Sequence, residues 1–371
     1  MVSININKSN TETPTRLLNI AFRVDASLNI GSGHVMRCLT LATAIRKAAN
    51  VNITFFCRDA AGNSNENIIQ SGFELVRMAP PKNTIDLKNY SSWLGTSIDD
   101  DCEEFLKLTA GKNYDLIVID HYAIDNHWHN KVKSITKKIM VIDDLANRIH
   151  NCDLLLDQTY QCPTVKYSHL INNHTKLLLG SSFALLRPEF LDFQKASIVK
   201  KERTLLIMFG GTDPDNLTLQ VLARVIKLKY FERINVILNK TAKNVKSVFN
   251  FAQCHKKVFL HISPSNIAEI MSTATIAIGA AGTTSWERCA LGLPAVVIVQ
   301  ADNQREIANA LQLAEVIRFI SIAEIEDKLI KEIEFWQNRL KLSNDVHKNC
   351  INICDGKGTV RVTNEVLKVI E

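Results

Sequence analysis

The chain has 371 residues, 46% of them hydrophobic and 22% charged, with 44 basic against 38 acidic side chains and a net charge of +6. That length holds two domains with a core each, and the composition excludes a disordered or fibrous protein. No apolar run is long enough to span a bilayer, and the mild, scattered charge suits an acidic small substrate, not nucleic acid.

Segment 1–16 is rich in Asn, Ser and Thr and lacks the apolar stretch of a secretory signal. It is read as a disordered tail and the protein as cytoplasmic. The nine cysteines are an odd, scattered set, as expected of free thiols in a reducing compartment. Cys350 and Cys354 lack the second pair that a zinc site would need.

The first half alternates Val/Ile-rich runs with helical periodicity. Strands are expected at 18–24, 51–57, 73–77, 115–120, 138–143 and 152–157. Cys38, Leu41, Ala42, Ile45 and Ala49 recur at helical spacing, and 99–110 and 125–134 read as further helices. Apolar strands without alternation belong to a parallel sheet covered on both faces. The pattern breaks near Arg187-Pro188 and the charged Lys200-Lys201-Glu202-Arg203, then restarts. Strands are expected at 204–209, 234–238, 258–262, 275–278, 295–299 and 316–320, with a helix over 216–228 and a mostly helical end from Ile322. The fold class is α/β, with two doubly wound Rossmann-like domains facing across a cleft. Their expected bounds are 17–187 and 203–345, with a linker over 188–202 and a helical segment over 346–371 packing back across the domains. Ligands of such sheets bind at the carboxyl ends of the strands.

Gly31-Ser32-Gly33-His34, with Arg37 three residues on, follows the first strand and opens the first helix. Two glycines let backbone N–H groups approach a phosphate, and the helix N-terminus adds partial positive charge. A histidine there can take a proton from water or a hydroxyl beside a bound sugar phosphate. The same four residues also fit a strand-ending turn with a capping histidine. Asp120-His121-Tyr122 and Asp143-Asp144 end later strands of that domain. The paired acids lack a further His or acid spaced to complete a metal site, and read as capping loops or positioning an arginine.

In the second half, Gly211-Thr212-Asp213-Pro214-Asp215-Asn216 reads as a turn and cap, with ligand contact the alternative. Gly282, Thr283, Thr284 and Ser285 follow a strand and lead into a helix, where amides and hydroxyls would grip a diphosphate. The glycine spacing is not that of a dinucleotide fingerprint, and no lysine follows as in a P-loop. Glu287 suits the vicinal hydroxyls of a ribose, or simply faces solvent. Asp302, Asn303 and Gln304 follow the next strand, where their amides fit sugar hydroxyls and acetamido groups or cap a helix.

The runs Arg23-Val24-Asp25-Ala26-Ser27, Ile30-Gly31-Ser32-Gly33-His34 and Met36-Arg37-Cys38 resemble the opening of the UDP-2,4-diacetamido-2,4,6-trideoxy-β-L-altropyranose hydrolases of pseudaminic acid biosynthesis. Ile142-Asp143-Asp144-Leu145-Ala146, Cys152-Asp153-Leu154-Leu155-Leu156-Asp157-Gln158, Gly210-Gly211-Thr212-Asp213 and Glu287-Arg288-Cys289-Ala290-Leu291-Gly292-Leu293-Pro294-Ala295 match in the same order, over roughly 18–365. The chain is more distantly similar to the peptidoglycan N-acetylglucosaminyltransferase, which implies GT-B architecture. The resemblance implies that His34 is the base, that the C-terminal domain holds UDP, and that water attacks the anomeric carbon without metal or cofactor. It also implies sugar contacts at Tyr122 and Asn303. The full set of expected ligand contacts adds Gly31, Ser32, Gly33, Arg37, Gly211, Ile262, Gly282, Thr283, Thr284, Ser285, Glu287 and Gln304. Val24 and Thr159-Tyr160 depart from the family pattern near the cleft.

The expected partner is the UDP-linked diacetamido sugar, bound by a monomer that inserts in no membrane. Competing readings are a GT-B glycosyltransferase, a non-catalytic nucleotide-sugar-binding protein and a sugar-nucleotide epimerase. A transferase working at a membrane would show an apolar and basic patch, whereas Trp93 and Leu94 read as isolated.

Overall fold

Parallel strands organise both halves of the chain in the computed structural model, which describes residues 16–86, 88–194, 202–210, 213–240, 242–300, 304–342 and 345–371. The first sheet contains β1 (Leu18–Val24), β2 (Val51–Arg58), β3 (Glu74–Met78), β4 (Tyr114–Asp120), β5 (Thr136–Ile142), β6 (Leu154–Asp157) and β7 (Lys176–Leu179). Its order is β3-β2-β1-β4-β5-β6-β7. The second contains β8 (Thr204–Met208), β9 (Arg233–Leu238), β10 (Val258–Ile262), β11 (Ile276–Ala280), β12 (Ala295–Val299) and β13 (Ile317–Ser321), in the order β10-β9-β8-β11-β12-β13. β4 is buried along its whole length, as a central strand covered on both faces must be. β7 was not foreseen: four residues at a sheet edge are too few to show a period.

Helices fill most of the crossovers; the β5–β6 connection has none and the β6–β7 connection only the 3-10 turn Thr164–Tyr167. In the first half the helices are α1 (Gly33–Ala48), α2 (Asn65–Gln70), α3 (Ile98–Leu108) and α4 (Asn126–Val132). Then follow α5 (Glu189–Gln194), α6 (Leu217–Val225), α7 (Val245–Gln253), α8 (Ile267–Ser272), α9 (Thr284–Ala290) and α10 (Arg305–Leu313). The chain closes with α11 (Ile325–Leu342), α12 (Asp345–Ile353) and α13 (Gly358–Ile370). The expected linker over 188–202 is corrected in part, because α5 occupies its start and packs on α8 and α9 through the buried Phe190. Its remaining residues up to 201 lie outside the described set, as does the expected tail apart from Arg16, which pairs with Asp115.

The two sheets are tied at the C-terminus. α12 packs on α9 of the second half, and α13 packs on α1 of the first. Thr359 at the start of α13 donates to the Leu186 carbonyl at 2.7 Å. Gly358 lies so close to the Ala184 backbone that any Cβ would overlap it. Among the described residues, no helix is long and apolar enough to cross a membrane.

Each sheet reverses direction once, between β1 and β4 in the first and between β8 and β11 in the second. At such a switch point the loops leaving two adjacent strands diverge and open a crevice. Val24 pairs with Asp120 in register, so the loop carrying Gly31–His34 leaves the sheet beside the loop carrying Asp120–Tyr122.

Candidate active site

The cleft between the halves is lined by Gly33, Met36, Arg37 and Thr40 from α1, by Gln158 and Leu185–Arg187 from the crossing segment, and by Thr283, Trp286 and Glu287 from the second half. Gly31 has φ +81, a left-handed conformation that turns the chain tightly into α1. The turn is closed by Gly31 N–H donating to Ser27 O at 2.8 Å. A Cβ at Gly33 would meet nothing within 4 Å, so that position faces open space.

His34 is held from behind. Its Nδ1 lies 2.6 Å from Asp120 Oδ1. Asp120 is fully buried, and burial alone would raise its pKa. Arg37 and His34 outweigh that and hold the carboxyl well below the usual range. An ionised carboxylate only accepts hydrogen bonds, so Nδ1 carries the proton. In the neutral imidazole, Nε2 therefore keeps its lone pair. This arrangement can accept a proton from a group bound in the cleft.

Arg37 was expected to touch the ligand. It borders the cleft, but its guanidinium clamps Asp120, with Nε donating to Oδ2 and Nη2 to Oδ1, each at 2.6 Å. Its Nη1 lies 3.5 Å from Asp144. Tyr122 donates its hydroxyl to Asp144 at 2.6 Å and sets its ring edge-on to His34, with centroids 4.8 Å apart. Burial and the Asp144 carboxylate push the Tyr122 hydroxyl up, so it remains a donor. Asp143 turns inward instead, to Arg148 at 2.7 Å and to the Ala146 amide at 2.9 Å.

Trp93 is not isolated. It lies on a short 3-10 helix, Tyr90–Leu94, with its ring 5.4 Å from Tyr122 and 6.3 Å from His34. Tyr90 completes this aromatic wall at 5.0 Å from Trp93 and 5.1 Å from Tyr122. Leu94 is buried in the core. Both readings fail for one reason: the segment's neighbours come from distant strands.

Across the cleft, Gly282 and Thr283 are exposed at the loop after β11. Ser285 is corrected: its side chain is buried and its hydroxyl accepts from Arg288 at 2.9 Å. Thr284 Oγ1 likewise accepts from Arg288, at 3.3 Å. Thr283 is thus the hydroxyl of the three that faces the cleft. Glu287 lines the cleft half-buried, and accepts no hydrogen bond from any described residue. Burial pushes its carboxyl up to about 7, against the opposing pull of Arg187 and Arg288.

Asp213 is a cap: its carboxylate accepts from the Leu217 and Thr218 amides at 2.9 and 3.1 Å. Gln304 precedes α10, where Oε1 accepts from the Gln300 amide at 3.1 Å. Ile262 ends the edge strand β10, exposed. Gly211 and Asn303 lie outside the described residues. Asp120 is a functional residue absent from the expected set. Its signal was a carboxylate ending the strand at the switch point beside the Gly31–His34 loop.

Residues 204–349 match the glycosyltransferase family 28 C-terminal domain. The chain is 28% identical over 295 residues to the UDP-2,4-diacetamido-2,4,6-trideoxy-beta-L-altropyranose hydrolase of Campylobacter jejuni, covering 79% of this chain and 96% of that one. It is 26% identical over 299 residues to an uncharacterized protein of Methanocaldococcus jannaschii, covering 78% of this chain; the match spans only 57% of that relative's length. Among solved structures it superposes on MurG of Acinetobacter baumannii with a TM-score of 0.64 at 12% identity, covering 95% of this chain and 99% of that one. The chain therefore has the GT-B fold, with a second half similar to the C-terminal domain of glycosyltransferase family 28.

Proposed function

We propose that this protein hydrolyses a UDP-linked diacetamido sugar to UDP and the free sugar, as the name of its Campylobacter relative says of that protein. The observation that carries the reading is the His34–Asp120 pair at the start of α1, the helix whose Gly33, Met36 and Arg37 line the cleft together with Glu287 and Thr283 of the second half. UDP sits on the second half, with Glu287 accepting from the ribose hydroxyls and the Gly282–Thr283 loop against the diphosphate. The sugar then lies toward His34 and the Tyr122 ring.

Water is the nucleophile. His34 Nε2 takes its proton as the oxygen bonds to the anomeric carbon. The bond from that carbon to the β-phosphate oxygen breaks, and its electron pair leaves with UDP. Single displacement inverts the anomeric centre. Base assistance of this kind contributes ~10²–10⁴-fold. UDP is a good leaving group, so the reading requires no metal. The step takes place in the cytoplasm, toward a surface glycan.

A glycosyltransferase is the second reading, favoured by the family 28 match. The test incubates the protein, with EDTA, with UDP-2,4-diacetamido-2,4,6-trideoxy-β-L-altropyranose and separately with UDP-N-acetylglucosamine, and follows UDP and free sugar by NMR. Release of both products from the first substrate alone supports the hydrolase. UDP binding without release from either shifts the reading to a transferase lacking its acceptor. In H₂¹⁸O the label is expected in the sugar; label in UDP refutes attack at carbon.

A further inference from the structure

The residues around His34 close a ring. Asp120 holds the imidazole Nδ1, Arg37 clamps Asp120 and reaches Asp144, Asp144 holds the Tyr122 hydroxyl, and the Tyr122 ring packs edge-on against the imidazole. Arg37 also comes directly to the ring: its Nη2 lies 3.1 Å from His34 Nδ1. Both groups donate to the same carboxylate oxygen. The cluster is dry at its centre, since Asp120 is fully buried and the Arg37 side chain is 6% exposed. Charges so placed act on each other far more strongly than across water.

The balance of charge follows. Two carboxylates and one guanidinium leave an excess of one negative charge while His34 is neutral. Once His34 takes a proton, the cluster is neutral overall. Two more cations border the far members of the cluster: Lys166 Nζ lies 3.3 Å from the Asp144 carbonyl, and the Arg148 guanidinium, paired with Asp143, lies 6.0 Å from the Tyr122 ring centre. Cys38, on α1, donates its thiol to Asp120 at 3.5 Å, and burial and Asp120 keep that thiol protonated. Tyr122 stays protonated. Tyr90 and Trp93 contribute rings. Elsewhere in the cleft lining stand Arg187, on the crossing segment, and Glu287, on the second half, of opposite formal charge.

We propose that Arg37 and Asp144 are positioning residues that act on His34 from opposite sides, the Arg37 guanidinium opposing and the Asp144 carboxylate favouring the proton that His34 takes from the nucleophile. This rests on the reading of His34 as the base. Arg37 is then not a phosphate ligand, although it borders the cleft. A lone Asp–His pair would hold the imidazolium tightly, and a protonated His34 has no lone pair to offer. Arg37 takes up part of the Asp120 charge and so opposes that hold. Asp144 returns charge from farther off and fixes the Tyr122 ring.

The test is ¹⁵N NMR titration of the histidines in the intact protein, with the His34 resonance identified by its loss in His34→Ala. Wild type is compared with Arg37→Gln, Arg37→Lys and Asp144→Asn, each checked for folding by circular dichroism. The titration midpoint is expected to rise by about one pH unit or more in Arg37→Gln. It is expected to fall, by less, in Asp144→Asn, and to stay near wild type in Arg37→Lys. Movement of both uncharged variants in the same direction, or of neither, overturns the assignment. If Arg37→Gln does not fold, Asp144→Asn decides alone, because that side chain is 31% exposed and the change is isosteric. An unchanged or raised midpoint there overturns the proposal. The pH dependence of kcat/KM on the UDP-sugar is read in parallel, and its acid limb should move with each midpoint. Opposite NMR shifts in a protein that hydrolyses no UDP-sugar would leave the charge assignment standing and remove the hydrolase reading.

Discussion

Glu287→Gln should make the protein more stable and a poorer nucleotide binder, and the two effects should share one pH dependence. Glu287 stands half-buried in the cleft wall with no described hydrogen-bond donor, and burial pushes its carboxyl from the ordinary 4.5 up to about 7. The folded chain therefore binds more protons than the unfolded chain between those values. Stability contributed by the protonated group is fully present below 4.5 and is lost as pH rises through about 7. At 1.36 kcal/mol per pH unit the cost of ionising Glu287 in the folded state is about 3 kcal/mol above pH 7. Glutamine has the same shape and no charge to bury. At pH 8 the variant is expected to be more stable by up to about 3 kcal/mol, a rise in Tm of roughly 2–4 °C per kcal/mol. At pH 4 the gap should close. The same carboxylate is the proposed acceptor for the ribose hydroxyls, and charge-assisted hydrogen bonds are worth about 1.5–3 kcal/mol. UDP affinity should thus fall about 10- to 100-fold at pH 8 in the variant. In wild type it should weaken as pH drops through 7. Calorimetric melting from pH 4 to 8.5 with and without UDP, together with titration calorimetry, reads both. A stability gap independent of pH, or unchanged UDP affinity in Glu287→Gln, would refute the reasoning.

Asp120→Asn removes the acceptor charge behind His34 and should lower kcat by about 10²-fold while UDP affinity is retained; steady-state kinetics with near-normal turnover would exclude the His34–Asp120 pair as the working base. Trp93→Ala opens the wall beside His34 and Tyr122. Its KM for the UDP-sugar should rise about 3- to 10-fold with UDP binding unchanged, because the proposed nucleotide site is on the other half. An equal loss for UDP alone would place Trp93 outside the sugar subsite. Gly358→Ala forces a Cβ into the Ala184 backbone and should cost about 1–3 kcal/mol in urea unfolding. Unaltered stability would mean that α13 is not firmly seated between the halves.

Much of this protein was legible in its residues because the signals are local. Unalternated apolar runs gave the parallel strands, since a strand buried on both faces needs no polar positions. Turn and glycine chemistry marked Gly31–His34, and small polar residues after a strand marked Gly282–Thr283. What escaped was set by partners distant in the chain. His34 and Asp120 are 86 residues apart and meet because β1 and β4 are neighbours at the point where the sheet reverses. Strand order depends on how the crossovers pack, and no local pattern encodes it. The fates of Arg37 and Ser285 were decided the same way. Each carries a side chain suited to phosphate, yet Arg37 turns to Asp120 and Ser285 to Arg288, because a buried charge must first be paired. The sequence by itself determined the element types and the loops that bear chemistry. Only the tertiary structure decided which polar groups are spent inside the protein and which remain for a ligand, because that depends on burial and on neighbours brought together across the sheets.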